Sequence, residues 1–278
     1  MMNLFHELSQ ECSKATTEKY STSFSSAIKL LHSDMRVPIY NIYGFVRFAD
    51  EIVDTFHQYN KGLLLAEFKS ETYSAIERGI SLNPILHSFQ LTVNRFQVSK
   101  DLIEAFFKSM EMDLSNTTYN SNGYKEYIYG SAEVVGLMCL YIFCDGDKLV
   151  YEQLKPGAQS LGAAFQKVNF LRDVKADFEQ LSRTYFPGVD FGNFTSTMKK
   201  QIEEDVAKDF EDAYDAIIQL PVKARFGVYV AYKYYLSLFR KIKKTKPCNI
   251  LDQRIRIPNY GKAYIVAKAS LRSQLNLL

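Results

Sequence analysis

The chain has 278 residues, of which 47% are apolar, with only 13 Gly and 7 Pro and a formal net charge of +3. That composition is ample for one large core, speaks against a turn-rich β fold, and gives no electrostatic ground for binding nucleic acid. Four cysteines (Cys12, Cys139, Cys144, Cys248) form no CxxC pair and four histidines (His6, His32, His57, His87) show no ligand spacing, so neither a disulfide framework nor a zinc centre is expected.

Apolar residues recur at helical spacing almost throughout. Helices are expected over residues 9–30, 35–56, 63–78, 83–94, 100–114, 124–144, 154–181, 194–220, 223–244 and 260–275. Breakers fall between them at 81–84, 121–123, 145–147, 187–188 and Pro221. No internal repeat or long linker divides the chain, so an all-α fold in a single domain over residues 1–278 is expected. Residues 1–20 are polar and mixed in charge, without the apolar run of a leader. The longest apolar run, Val134–Cys144, falls short of the ~20 residues of a membrane span. A soluble protein of the reducing cytoplasm is expected. The charged stretch 201–215 reads as a solvated outer helix.

Two segments carry chemistry. In the first, Arg47, Asp50, Glu51 and Asp54 stand at i, i+3, i+4 and i+7, on one face of a helix. The other sides carry Phe45, Val46, Phe48, Ala49, Ile52, Val53 and Phe56. A helix apolar on most sides belongs inside a protein, and its charged stripe must then face a compensating group. In the second, Gln166, Asn169, Asp173 and Asp177 share a face with Arg172 at its flank, again among apolar neighbours.

Carboxylates four residues apart repel by a few tenths of a kcal/mol on an isolated helix. Two such stripes brought together need cations between them. A donor set of oxygens alone suits a hard cation: Mg²⁺ where phosphate completes the shell, with Mn²⁺ as the alternative. The neighbouring arginines suit phosphate oxygens, and a neutralised diphosphate is a good leaving group. Either stripe alone could equally be the wet side of an amphipathic helix; the repeated design, with arginine beside both, favours the metal–diphosphate reading. Other acidic pairs, Glu7/Glu11, Glu67/Glu71, Asp205/Asp209 and Glu211/Asp215, lie in more polar stretches and are expected on solvated faces.

Residues 47–54 (Arg-Phe-Ala-Asp-Glu-Ile-Val-Asp) resemble the first aspartate-rich motif of the squalene/phytoene synthase family, and 169–177 (Asn-Phe-Leu-Arg-Asp-Val-Lys-Ala-Asp) its second. Residues 183–187 are similar to the segment that follows that motif, 127–138 to the family's central helix, and 21–24 to an N-terminal pocket element. Tyr235 with Leu238, Phe239 and Ile242 resembles its late helix. The likeness runs from about residue 20 to 262. It implies an isoprenoid synthase fold, a helical bundle around a central cavity. It further implies that Asp50, Glu51, Asp54, Asp173 and Asp177 hold Mg²⁺, with Asp50, Asp54, Asp173 and Asp177 essential to catalysis. Arg47, Arg172, Gln166 and Asn169 would contact diphosphate, Tyr129 and Tyr235 would line the reaction chamber, and Ser23 and Phe24 would position a substrate.

In the family two prenyl diphosphates join 1-1′ through a cyclopropylcarbinyl diphosphate. The stretch 131–138 looks closest to bacterial phytoene synthases, which makes geranylgeranyl diphosphate the expected substrate, without NADPH. The alternatives are dehydrosqualene or squalene formation from farnesyl diphosphate, and a non-catalytic assembly factor of the same fold. The chain departs from the family pattern at Tyr20, where many relatives have His, at Glu133, where a small Gly is common, and at Glu51, which replaces Asp. A few of the 19 Tyr and 20 Phe are expected to line the cavity and the rest to pack the core. Greasy substrates and the basic segment 240–244 suggest peripheral contact with the inner membrane surface, a solvated helix end being the alternative.

Overall fold

The computed structural model describes residues 2–115, 118–180, 183–189, 191–252 and 254–275, with backbone alone at 176–180 and 251–252. Helices α1 (Met2–Tyr20), α2 (Thr22–Ile28) and α3 (Ser33–Asp54) come first. They are followed by α4 (Lys61–Arg78), α5 (Pro84–Phe96), α6 (Lys100–Ser115) and α7 (Ser121–Ile128). A π-helical turn, Tyr129–Glu133, joins α7 to α8 (Val134–Cys144). Then come α9 (Lys148–Gln180), α10 (Ser196–Ile217), α11 (Val222–Lys244), α12 (Pro247–Asp252) and α13 (Asn259–Gln274). Among the described residues no strand forms; one isolated parallel bridge pairs Thr118 with Thr184.

Local chemistry sets the boundaries. Asn60, Asn83, Asn120 and Thr195 each accept a backbone N–H at the start of a helix, closing α4, α5, α7 and α10. Asp145 and Gly146 take positive φ to end α8, and the Asp147 carboxylate then caps α9. Apolar spacing predicts the first helix over 9–30. Instead α1 begins at Met2, because its buried face is Ser9, Ser13 and Thr17, small polar residues that apolar periodicity does not register. Ser21 then breaks the run, its Oγ accepting from Phe24 N at 3.2 Å. Residues 121–123, expected as a breaker, open α7 instead, since Asn120 caps them. Helix α12 was not expected.

One contiguous hydrophobic core runs from Ile28 to Ala269. Helix α3 packs on α1, α4, α5, α6 and α8, while α9 packs on α8, the π turn, α10, α11 and α12. Thus α8 touches both of the charged helices. The π turn is pressed between its neighbours: a Cβ on Gly130 would lie 2.4 Å from the Ala105 carbonyl of α6, and one on Gly162 of α9 would lie 2.6 Å from the Ala132 carbonyl.

Two sequence expectations need correction. The helical stretch Ser121–Cys144 does reach membrane-span length, with mean hydropathy 1.5 over its most apolar window, because the π turn continues α7 into α8. Half of that window is buried in the bundle, as a core helix requires. Helix α10 is also less solvated than expected. It buries Val206, Phe210 and Ala213, and Lys167 of α9 reaches Asp205 at 2.5 Å and Asp209 at 2.7 Å. The Asp209 side chain is only 17% exposed, so that acidic pair is not simply a wet face.

Candidate functional site

The stripe on α3 folds onto arginines from its own helix and from a distant loop. Arg47 pairs with Glu51 one turn on and lies 3.7 Å from Asp50. Arg183, buried in the segment after α9, donates from Nη1 to Asp54 Oδ1 at 2.9 Å. The same guanidinium donates from Nη2 to the Asp113 backbone carbonyl at 2.8 Å and lies 3.4 Å from the Asp113 carboxylate. Tyr127 donates to Asp113 Oδ2 at 2.8 Å. Behind this group, Phe170 stacks on Tyr185 at 3.9 Å and Tyr127 on Tyr185 at 5.3 Å, holding the Arg183 segment in place.

This gathering of acid raises pKa values. Burial, then the neighbouring Asp54, push the Asp50 carboxyl up to about 7 against the pull of Arg47. The Asp50 side chain is 31% exposed. Asp113 also rises to about 7, chiefly through burial, with Arg183 pulling it down and Asp54 pushing it up. Its Oδ1, like Arg47 Nε, is buried without a hydrogen bond.

On α9, Asp173 is gripped twice. Arg172 donates from Nε at 3.0 Å, and Arg254 from the segment before α13 approaches at 2.7 Å. An aromatic group joins α2, α3, α9 and α11. Phe165 of α9 stacks on Tyr235 of α11 at 3.9 Å, and Phe24 of α2 lies 6.0 Å from Tyr235 and 5.5 Å from Tyr43 of α3. The Tyr235 hydroxyl donates to Asn169 Oδ1 at 3.3 Å. Burial pushes the Tyr43 phenol up to about 12. The structure thus brings Asp50, Glu51, Asp54 and Arg47 together on one side, and Asp173, Arg172, Asn169, Tyr235 and Phe24 on the other.

The remaining expected residues lie on α2, the π turn and α9. Ser23 and Gln166 are half-buried on α2 and α9. Tyr129 opens the π turn at 36% exposure and joins neither cluster. Asp177 lies on α9, but its side chain is outside the described residues. Among the described residues no three acidic, His or Cys side chains converge closely enough to hold an ion by themselves; their carboxylates are engaged by Arg47, Arg183, Arg172 and Arg254 instead.

Two contributors escaped the sequence reading. Asp113 stands in phase with buried Ile103, Phe106 and Met110 on α6, and an acid on an apolar face is a detectable signal. Arg254 lies far from Asp173 in sequence, in a stretch with no periodicity, and carried none. Of the family departures, Glu133 accepts from Gln159 Nε2 at 2.9 Å, and burial raises its carboxyl. Tyr20 lies under the Arg47 guanidinium, 4.4 Å from it.

A squalene/phytoene synthase family model matches residues 17–261. A phytoene synthase of Arthrospira platensis is 26% identical, over 96% of this chain and 94% of that protein. A 4,4′-diapophytoene synthase of Staphylococcus haemolyticus is 26% identical, over 75% of this chain and 72% of its own. Among solved structures, a dehydrosqualene synthase in complex with ligand superposes with a TM-score of 0.82 at 19% identity, covering 98% of both chains. A squalene synthase from Alicyclobacillus acidocaldarius gives 0.74 at 18%, covering 86% of this chain and 94% of that one. The structural matches share the all-helical isoprenoid synthase fold.

Proposed function

This chain belongs to the squalene/phytoene synthase family, and we propose that it joins two prenyl diphosphates 1-1′ with Mg²⁺, taking geranylgeranyl diphosphate to phytoene. The observation that carries the reading is the acidic face of α3, where Asp50, Glu51 and Asp54 are held by Arg47 and Arg183, together with the aromatic cluster of Phe24, Tyr43, Phe165 and Tyr235.

The residues fit a hard dication. The carboxylates offer only oxygen, Arg47 and Arg183 now supply the compensating charge that a dication would share, and the Asp50 carboxyl is forced toward its neutral form by burial and like charge. Asp50, Glu51 and Asp54 of α3, with Asp173 and Asp177 of α9, would hold the cation. When bound, it neutralises diphosphate charge and makes that group a good leaving group. Arg47 and Arg172, released from their carboxylates, offer planar paired donors to phosphate oxygens. Arg254 stands ready to do the same from the far side of Asp173. Phe24, Tyr43, Phe165 and Tyr235 form one aromatic cluster bridging α2, α3, α9 and α11, whose rings would exclude water and stabilise positive charge on a prenyl chain. Asn169 fixes the Tyr235 ring through its hydroxyl.

Support for the C40 product is the near full-length likeness to the Arthrospira platensis phytoene synthase together with the 131–138 stretch. The Staphylococcus haemolyticus relative supports farnesyl diphosphate as the second reading. Incubation with geranylgeranyl diphosphate and Mg²⁺ without NADPH, extraction, and ultraviolet and mass spectra of the product test both. A C40 triene is expected. A product from farnesyl diphosphate alone would replace the substrate assignment, and no product from either would overturn the activity. Exposed Arg240, Lys241, Lys243 and Lys244 at the end of α11 favour peripheral binding to anionic membrane. Co-sedimentation with anionic liposomes at low salt is expected, and its absence would remove that assignment.

A further inference from the structure

The last residue of α1, Tyr20, is 51% exposed, and its ring faces the Arg47 guanidinium with 4.4 Å between the guanidinium carbon and the ring centre. At that distance the ring quadrupole attracts the cation. The guanidinium is therefore held in two directions. Its edge meets Glu51 and, at 3.7 Å, Asp50, while its face rests on the tyrosine. Its Nε is buried and makes no hydrogen bond, so no backbone or side-chain acceptor fixes the plane from behind.

The helix that carries the ring is well anchored. Helix α1 lies so close to α3 that a Cβ on Gly44 would fall 2.7 Å from Ser13 Oγ, and that hydroxyl lies 2.6 Å from Ser88 Oγ of α5. Ser21, the next residue, caps α2 and fixes the direction in which the chain leaves. Tyr20 also lines a recess of about 360 Å³ with Phe48, Glu51 and Phe56, at the edge of the acidic stripe.

Asp50 and Glu51 cannot serve a cation and Arg47 at full strength together. Once they turn to the metal, the tyrosine ring is the contact that stays with Arg47. We infer that Tyr20 is a positioning residue, whose ring face holds the Arg47 guanidinium toward the diphosphate in the loaded site. This rests on the proposal that Arg47 meets diphosphate. It assigns the work to the ring and not to the hydroxyl.

Calorimetric titration of the full chain with pyrophosphate in saturating Mg²⁺ separates the two claims. Tyr20→Phe should bind within about twofold of the parent, and Tyr20→Leu about 3- to 10-fold more weakly, a loss inside the range of a half-exposed cation–π contact. Arg47→Gln should weaken binding at least as much, and Tyr20→Leu should add nothing in the Arg47→Gln background. With prenyl diphosphate, Tyr20→Leu should raise KM more than it lowers kcat, at an unchanged Tm. If Arg47→Gln weakens binding and Tyr20→Leu does not, the inference fails and the diphosphate role of Arg47 stands. An equal loss in Tyr20→Phe and Tyr20→Leu would shift the role to the hydroxyl and overturn it. Parent-like binding by Arg47→Gln, or no binding by the parent, overturns both.

Discussion

On one side of α3, Phe45 stacks on Phe89 at 3.8 Å and meets Phe106 and Phe107 at 5.3 and 5.6 Å, all four fully buried. Within three turns, on the other side, Asp50 and Asp54 crowd Asp113 and are restrained by Arg47 and Arg183. The first face completes its packing with protein atoms alone. The second leaves Asp113 Oδ1 and Arg47 Nε without hydrogen bonds and lifts two carboxyls to about 7. A single helix thus devotes one face to stability and the other to a charge arrangement that destabilises the empty protein, as functional sites commonly do.

Three changes would break or sharpen that contrast. Phe45→Ala should cost about 3–5 kcal/mol of unfolding free energy in denaturant titration, because it empties the centre of the aromatic stack. On the opposite face, Asp50→Asn should lower turnover by about 10²–10³-fold, ~3–4 kcal/mol in the barrier, since charge stabilisation of that kind is commonly worth this much. Its Tm should be unchanged or higher, because a carboxylate crowded by Asp54 is removed. A destabilised Asp50→Asn variant that kept its activity would reverse the assignment of the two faces.

The smallest effect concerns pH. Asp50 and Asp113 have folded pKa values of about 7 against an ordinary 3.8. Between those values the folded state holds more protons than the unfolded chain, so stability falls as pH rises toward 7 and the loss is complete above it. His87 acts in the opposite sense. It is fully buried beside His6, 2.8 Å away, and burial lowers its pKa below 6.5, so its contribution is lost as pH falls through that value. The metal-free protein should therefore be most stable at weakly acidic pH. Its Tm should fall by about 2–4 °C from pH 6.5 to 8, and Asp113→Asn should reduce that fall. A flat profile in the parent would show that the carboxylates are not crowded.

The apolar pattern revealed most of the helices because their buried faces are Phe, Leu, Ile and Val. It failed at α1, where Ser9, Ser13 and Thr17 face inward, and at α7, where an asparagine cap turned a presumed breaker into a helix start. The site was legible where one helix carried it. Arg47, Asp50, Glu51 and Asp54 share a local stripe that spacing exposes. What joins that stripe to the rest of the protein is non-local: Arg183 reaches Asp54 across 129 positions, and Arg254 reaches Asp173 across 81. Such contacts depend on tertiary packing and leave no periodic trace. The π turn is equally silent, since its residues read as ordinary helix.

Thermal unfolding of the full chain at pH 8, with Mg²⁺, with pyrophosphate, and with both, tests the central claim that the acidic face is completed by a metal–diphosphate pair. Little change is expected with either alone and a clear rise in Tm with both, about 2.7 kcal/mol of stabilisation at 100 times Kd, abolished in Asp50→Asn. No shift with the pair, or the same shift in Asp50→Asn, would contradict it.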